Sequence, residues 1–270
     1  MPNDTTVLET VRPSRRSVVR GAAWSVPVIS MAATAPAFAA SPCSTPVNPD
    51  MSWNTARYTG QWWNPTDRGY GYWRSNNTTA AYLTQDPDGT GRQQPLRLDI
   101  SVSYGSNVRA EDDQLFVTSQ TVGGTSSRGL TLHQSPRNAS QQSSTLVDRN
   151  KSVVRFTFSR QVSSLTFTMT DIDSASADFR DAVGISGATI ASYSIQNPAQ
   201  VQGAGTVANP FRVVPTNSAV DNFSSGGGNV TVTLSNVSTF DLHYWNFEPA
   251  GNGDDQKVYL TNFQATYMPC

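Results

Sequence analysis

Residues 152–158 read SVVRFTF and residues 164–173 read SLTFTMTDID, and these two runs decide the fold. In the first, Val154, Phe156 and Phe158 alternate with polar neighbours; in the second, Leu165, Phe167 and Met169 do the same. A period of two puts successive side chains on opposite faces of a strand, so each run predicts a β-strand with one buried face. Outward from this pair, similar runs span Leu96 to Tyr104, Gln114 to Thr118, Gly129 to His133, Ala188 to Ile195 and Phe211 to Val214. Val230 to Leu234, Thr239 to Trp245 and Lys257 to Phe263 complete a set of about ten strands. Turn chemistry separates many of them, as at Pro87-Asp88-Gly89, Gly203-Ala204-Gly205 and Gly226-Gly227-Gly228. No helical period interrupts the series. The expectation is an all-β fold: one antiparallel β-sandwich or jelly-roll-like domain over residues 51–270.

Composition agrees. Hydrophobic residues make up 37% of the 270 and charged residues 14%, the remainder being rich in Ser, Thr, Asn, Gln and Gly. With 10% aromatic residues, a packed core is expected rather than disorder. Lys151 and Lys257 are the only lysines. Without residues 1–39, which carry four arginines and two acids, acidic residues exceed basic ones by three. Such a domain lacks the basic field that nucleic acid or an anionic membrane surface attracts.

Ahead of the strands, Arg15-Arg16 followed by Val18, Val19 and Arg20 resembles a twin-arginine export motif. A modestly apolar stretch from Gly21 to Ala35 follows, and Ala37-Phe38-Ala39 supplies the small-x-small pattern of signal-peptidase cleavage. Residues 1–39 are therefore expected to be a signal peptide, read by the twin-arginine machinery and signal peptidase, and residues 40–50 an extended lead-in. No stretch after Ala40 has the roughly 20 apolar residues that span a bilayer. In an oxidising compartment, Cys43 and Cys270, near the two ends of the exported chain, are expected to form a disulfide; two free thiols are the alternative.

Candidate sites lie at strand ends and in one aromatic cluster. Continuing the period of Leu165, Phe167 and Met169 brings Asp171 and Asp173 to the rim of the sandwich, with Asp178 and Asp181 in the following loop. Several carboxylates at one end of a fold are what a calcium ion needs. The other reading is that these aspartates accept hydrogen bonds from turn amides and pair with Arg180. Trp62, Trp63 and Trp73 sit among Tyr, Gly, Asn and Thr. Exposed, they would stack on sugars in a carbohydrate-binding module; buried, they would fill the core. A glycoside hydrolase is disfavoured, since the only glutamates beyond residue 39, Glu111 and Glu248, are remote in sequence from Asp171 and Asp173. His133 and His243, each in a strand-like run, offer no zinc set or triad, and His243 is expected to face solvent.

The signal segment Arg15 to Val28, the run Phe156 to Asp173 with Phe179 to Val183, and the closing Tyr244 to Leu260 resemble exported β-proteins of actinobacteria that carry an Asp-Ile-Asp strand end. The resemblance covers about a third of the chain and implies no activity. Many such proteins end in a wall-sorting tail, which is absent here. The resulting expectation is a secreted, noncatalytic envelope or adhesion-type β-sandwich, held noncovalently if at all, with envelope polysaccharide or a surface protein as partner.

Overall fold

The computed structural model describes residues 45–55, 57–58, 80–85 and 95–269, those from 55 to 85 by backbone alone. Within them the chain is almost wholly antiparallel β, as its alternating pattern requires. Two strands organise it: β8 (Lys151–Thr170), 20 residues long, and β14 (Val230–Asn246), 17 residues long. They pair with each other from Val230↔Met169 to Trp245↔Lys151.

Each of these strands absorbs two of the runs read separately from the sequence. The reason lies where the alternation slips. Val162 and Leu165 are both buried although three residues apart, as are Leu234, Val237 and Phe240. A one-residue slip exchanges the faces of a strand, and no glycine or proline stands at these points to end it. The ladder instead bends: four residues of β8, Phe158 to Gln161, oppose Ser238 alone, and Asn236 takes a left-handed φ of 53°. The β8–β14 pair thus crosses from one layer of the sandwich to the other without turning its apolar side outward.

In the first layer the early half of β8 pairs β4 (Leu96–Tyr104), which leads to β3 (Ala80–Gln85) and β2 (Arg57–Tyr58). The late half of β14 pairs β10 (Phe179–Ser186), followed by β13 (Phe211–Val213) and β12 (Val201–Gln202). In the second layer the late half of β8 pairs β16 (Phe263–Thr266) and β15 (Lys257–Leu260), and the early half of β14 pairs β11 (Thr189–Ile195). Beyond β15 lies β7 (Arg128–Pro136), flanked by β5 (Val108–Ala110) and β6 (Val117–Thr121). Two two-residue strands complete the set: β1 (Asp50–Met51) on β16, and β9 (Ser174–Ala175) on β10. The run Lys257 to Phe263 is therefore two strands. Their break is at Thr261, whose Oγ1 accepts from Thr168 N at 2.9 Å, and at Asn262, whose Oδ1 accepts from Trp53 N at 3.1 Å.

Four buried rings lock the layers together. Phe156 stacks on Phe240 at 4.7 Å between ring centroids, and Phe167 tilts against Phe263 at 4.7 Å. The crossed pairs close at 5.4 Å (Phe156–Phe263) and 5.9 Å (Phe167–Phe240). Trp53 joins them, edge-on to Phe263 at 4.8 Å, its Nε1 donating to the Leu260 carbonyl at 2.7 Å.

Arg15, Arg16, Ala37, Ala39, Cys43, Trp62, Trp63, Trp73 and Cys270 lie outside the described residues. Among the described residues no helix is long and apolar enough to cross a membrane.

Candidate functional site at the end of β8

Strand β8 stops at Thr170 because Asp171 turns into the left-handed region, with φ at 69°. The period of Leu165, Phe167 and Met169 is broken there, yet both aspartates stay inside, Asp171 at 5% exposure and Asp173 at 3%. The chain is held in by its backbone: Ile172 N donates to the Gly228 carbonyl at 3.2 Å. A Cβ on Gly228 would stand 2.5 Å from Ile172 N, so glycine is needed for this approach.

Asp181 does not lie in a loop. It is the third residue of β10, fully buried. That strand escaped the periodic reading because Asp181 to Ile185 are all buried, leaving no alternation to detect. Asp181 is tied to Asp173 by its own N–H to the Asp173 carbonyl at 3.1 Å and by Asp173 N to its Oδ2 at 3.3 Å. Its Oδ1 accepts from Tyr244 Oη at 2.9 Å and Gln256 Nε2 at 3.0 Å. Neither Tyr244 nor Gln256 stood out beforehand. Tyr244 shares the core phase of Leu242, and Gln256 follows a turn with no pattern.

Asp178 goes elsewhere. It is half-buried, and its Oδ1 accepts from Asp254 N at 2.8 Å while its carbonyl accepts from Gly253 N at 3.0 Å. Arg180 pairs with none of the aspartates: its Nε lies 2.5 Å from Glu248 Oε2, and its guanidinium lies over the Phe247 ring. Among the described residues, no three His, Cys, Asp or Glu side chains form a group arranged to hold a metal ion. The four-aspartate convergence thus narrows to Asp171 and Asp173, with Asp181 behind them.

What distinguishes this pair is unmet valence. Asp173 Oδ2 accepts from Val220 N at 2.6 Å, but Asp173 Oδ1 and Asp171 Oδ1 are both buried without a hydrogen-bond partner. A buried, unpaired carboxylate is costly, so such an oxygen takes up a proton or a cation. Burial pushes Asp171 up to about 9, with further upward push from Asp173, Asp255 and Asp221 against the opposing charge of Lys257. Burial likewise brings Asp173 to about 7, the Val220 amide working against it. Asp181 is raised by burial and by Asp173, and Tyr244 by burial and by Asp181. Lys257 is itself engaged, its Nζ 2.9 Å from Asp255 Oδ1.

These directions set a pH dependence. An aspartate whose folded pKa is raised keeps its proton where the unfolded chain has lost it, so stability falls as pH rises through the folded value. Without divalent cations, the melting midpoint is therefore expected to fall progressively between pH 5 and pH 9. Thermal melts in chelator across that range check it; a midpoint that rises over the range contradicts it.

The histidines are structural neighbours of other groups. His133 is buried in β7 and pairs with Asp113. His243 is half-buried on the outer face, stacked on Trp245 at 5.6 Å, with Nε2 2.9 Å from Ser186 Oγ.

No protein-family model matches the chain, and neither does any curated protein. Among solved structures the chain is similar to the adhesin domain of PrgB from Enterococcus faecalis. Identity is 9% over 76% of this chain and 71% of that one, with a TM-score of 0.33. A likeness of this strength carries no argument about activity.

Proposed function

We propose that the chain works outside the cell as a noncatalytic, adhesion-type β-sandwich of the envelope, its rim organised by calcium at Asp171 and Asp173. The observation that carries the calcium reading is the pair of buried, unpartnered oxygens, Asp171 Oδ1 and Asp173 Oδ1. Calcium takes six to eight oxygen ligands, and two carboxylates with carbonyls and waters make a weak site of the extracellular kind, with Kd of about 10⁻⁴–10⁻³ M. Such a site is filled outside the cell and empty inside it. The twin-arginine motif and the β-sandwich support the extracellular setting. In the experiment that tests this reading, purified chain is incubated with isolated cell envelopes in calcium or in chelator. Retention in calcium that drops at least fivefold in chelator is the expected outcome. No retention in calcium, or equal retention in both, contradicts it.

A further inference from the structure

Strand β11 carries a second feature. Among the described residues it bonds β14 alone, and its register slips between Ile190 and Ser192, which marks a bulge at Ala191. Bulges re-aim the side chains that follow them. Tyr193, two residues on, stands 47% exposed, whereas Phe156, Phe167, Phe211, Phe240 and Tyr244 are at most 2% exposed. Its ring is braced edge-on by Phe211, at 5.2 Å and 64°. Tyr193 borders a cavity of about 420 Å³ floored by Ile185, Ile190 and Ala204 and edged by Ser192 and Thr206. The wall at residues 204–206 can close on Phe211 because Gly205, with φ at 78°, has no Cβ; one there would stand 2.4 Å from that ring.

We infer that this cavity binds a neutral sugar unit of an envelope polysaccharide, with Tyr193 as the stacking ring. The inference rests on the adhesion reading above and names its ligand class. Three observations carry it. First, no ionisable side chain other than the Tyr193 phenol lines the cavity, which suits an uncharged ligand. Second, a braced, half-exposed ring beside an aliphatic floor suits the C–H face of a pyranose. Third, hydroxyls stand at the edge: Thr206 Oγ1 accepts from Asn209 N at 3.1 Å and keeps its O–H to donate. The volume falls within the range of about 300–1,000 Å³ of ligand pockets.

The test is an array of neutral oligosaccharides (glucans, mannans, galactans and N-acetylglucosamine oligomers) with alginate and heparin as anionic controls, probed with the purified chain in calcium. Binding to at least one neutral class is expected, weakened at least tenfold in Tyr193→Ala with an unchanged melting midpoint. If Tyr193→Ala fails to fold, Ala191→Glu, which sets a charged, ringless side chain at the exposed bulge of a cavity otherwise free of charge, decides in its stead and is expected to weaken binding equally. No neutral oligosaccharide bound by the wild type, binding to the anionic controls only, or undiminished binding in the deciding variant overturns the inference. Envelope retention separates the two readings. Retention that persists while oligosaccharides fail leaves adhesion standing without this pocket, and oligosaccharide binding without envelope retention does the reverse.

Discussion

Phe240→Ala is expected to lower the unfolding free energy by about 3–5 kcal/mol, the cost of deleting a fully buried phenylalanine from a core that cannot collapse around the void. Phe240 is the ring on which the fold turns. It stacks on Phe156 within one layer and reaches Phe167 and Phe263 across the sandwich, within 6.2 Å of all three. It also follows the bend of β14, so its loss loosens the point at which the β8–β14 pair changes layers. Ser238→Ala, two residues away and exposed, is expected to change stability by less than about 0.5 kcal/mol. Urea denaturation of both variants checks this. A loss below about 1 kcal/mol for Phe240→Ala means that the two halves of β8 and β14 do not share one core.

Asp173→Asn is expected to act in opposite directions with and without calcium. In chelator at pH 8 the wild type bears a buried carboxylate that burial disfavours, whereas asparagine is neutral and keeps an oxygen for the Val220 amide. The variant therefore melts higher than the wild type under these conditions. In 10 mM calcium the order reverses. An ion with a Kd of about 10⁻⁴ M stabilises the folded chain by about 2.7 kcal/mol at 100-fold excess. That raises the melting midpoint of a domain this size by about 5–10 °C, and the variant loses this rise. Because calcium and protons compete for the same oxygens, the wild-type rise is larger at pH 8 than at pH 5. A calcium-dependent rise of the same size in Asp173→Asn places the ion elsewhere.

Much of this fold is legible in the alternation of apolar residues. Leu98, Ile100 and Val102 in β4, and Val154, Phe156 and Phe158 in β8, are all inside. The two long strands read as four because Val162 to Leu165 and Leu234 to Val237 break the period. The same intervals, spaced by three with no turn residue, are the trace of a strand that bends between layers. Strand β10 was illegible for a different reason. It is buried on both faces, and Gly184 leaves room there for the Trp245 ring and the Val207 backbone. The site was half legible. Asp171 and Asp173 announce themselves as acids at the end of an apolar strand. Their unmet oxygens do not, since those depend on where Val220 and Gly228 fall. Asp181 and Tyr244, 63 residues apart, meet only through the pairing of β10 with β14, and Gln256 joins them from the turn before β15.

Whether an ion occupies Asp171 and Asp173 is measured most directly by calorimetric titration of calcium into the chelator-stripped chain at pH 8. One ion per chain with a Kd of about 10⁻⁴–10⁻³ M, and no binding in Asp171→Asn/Asp173→Asn, is the predicted result. Absence of binding in the wild type at 10 mM calcium, or undiminished binding in the double variant, contradicts it.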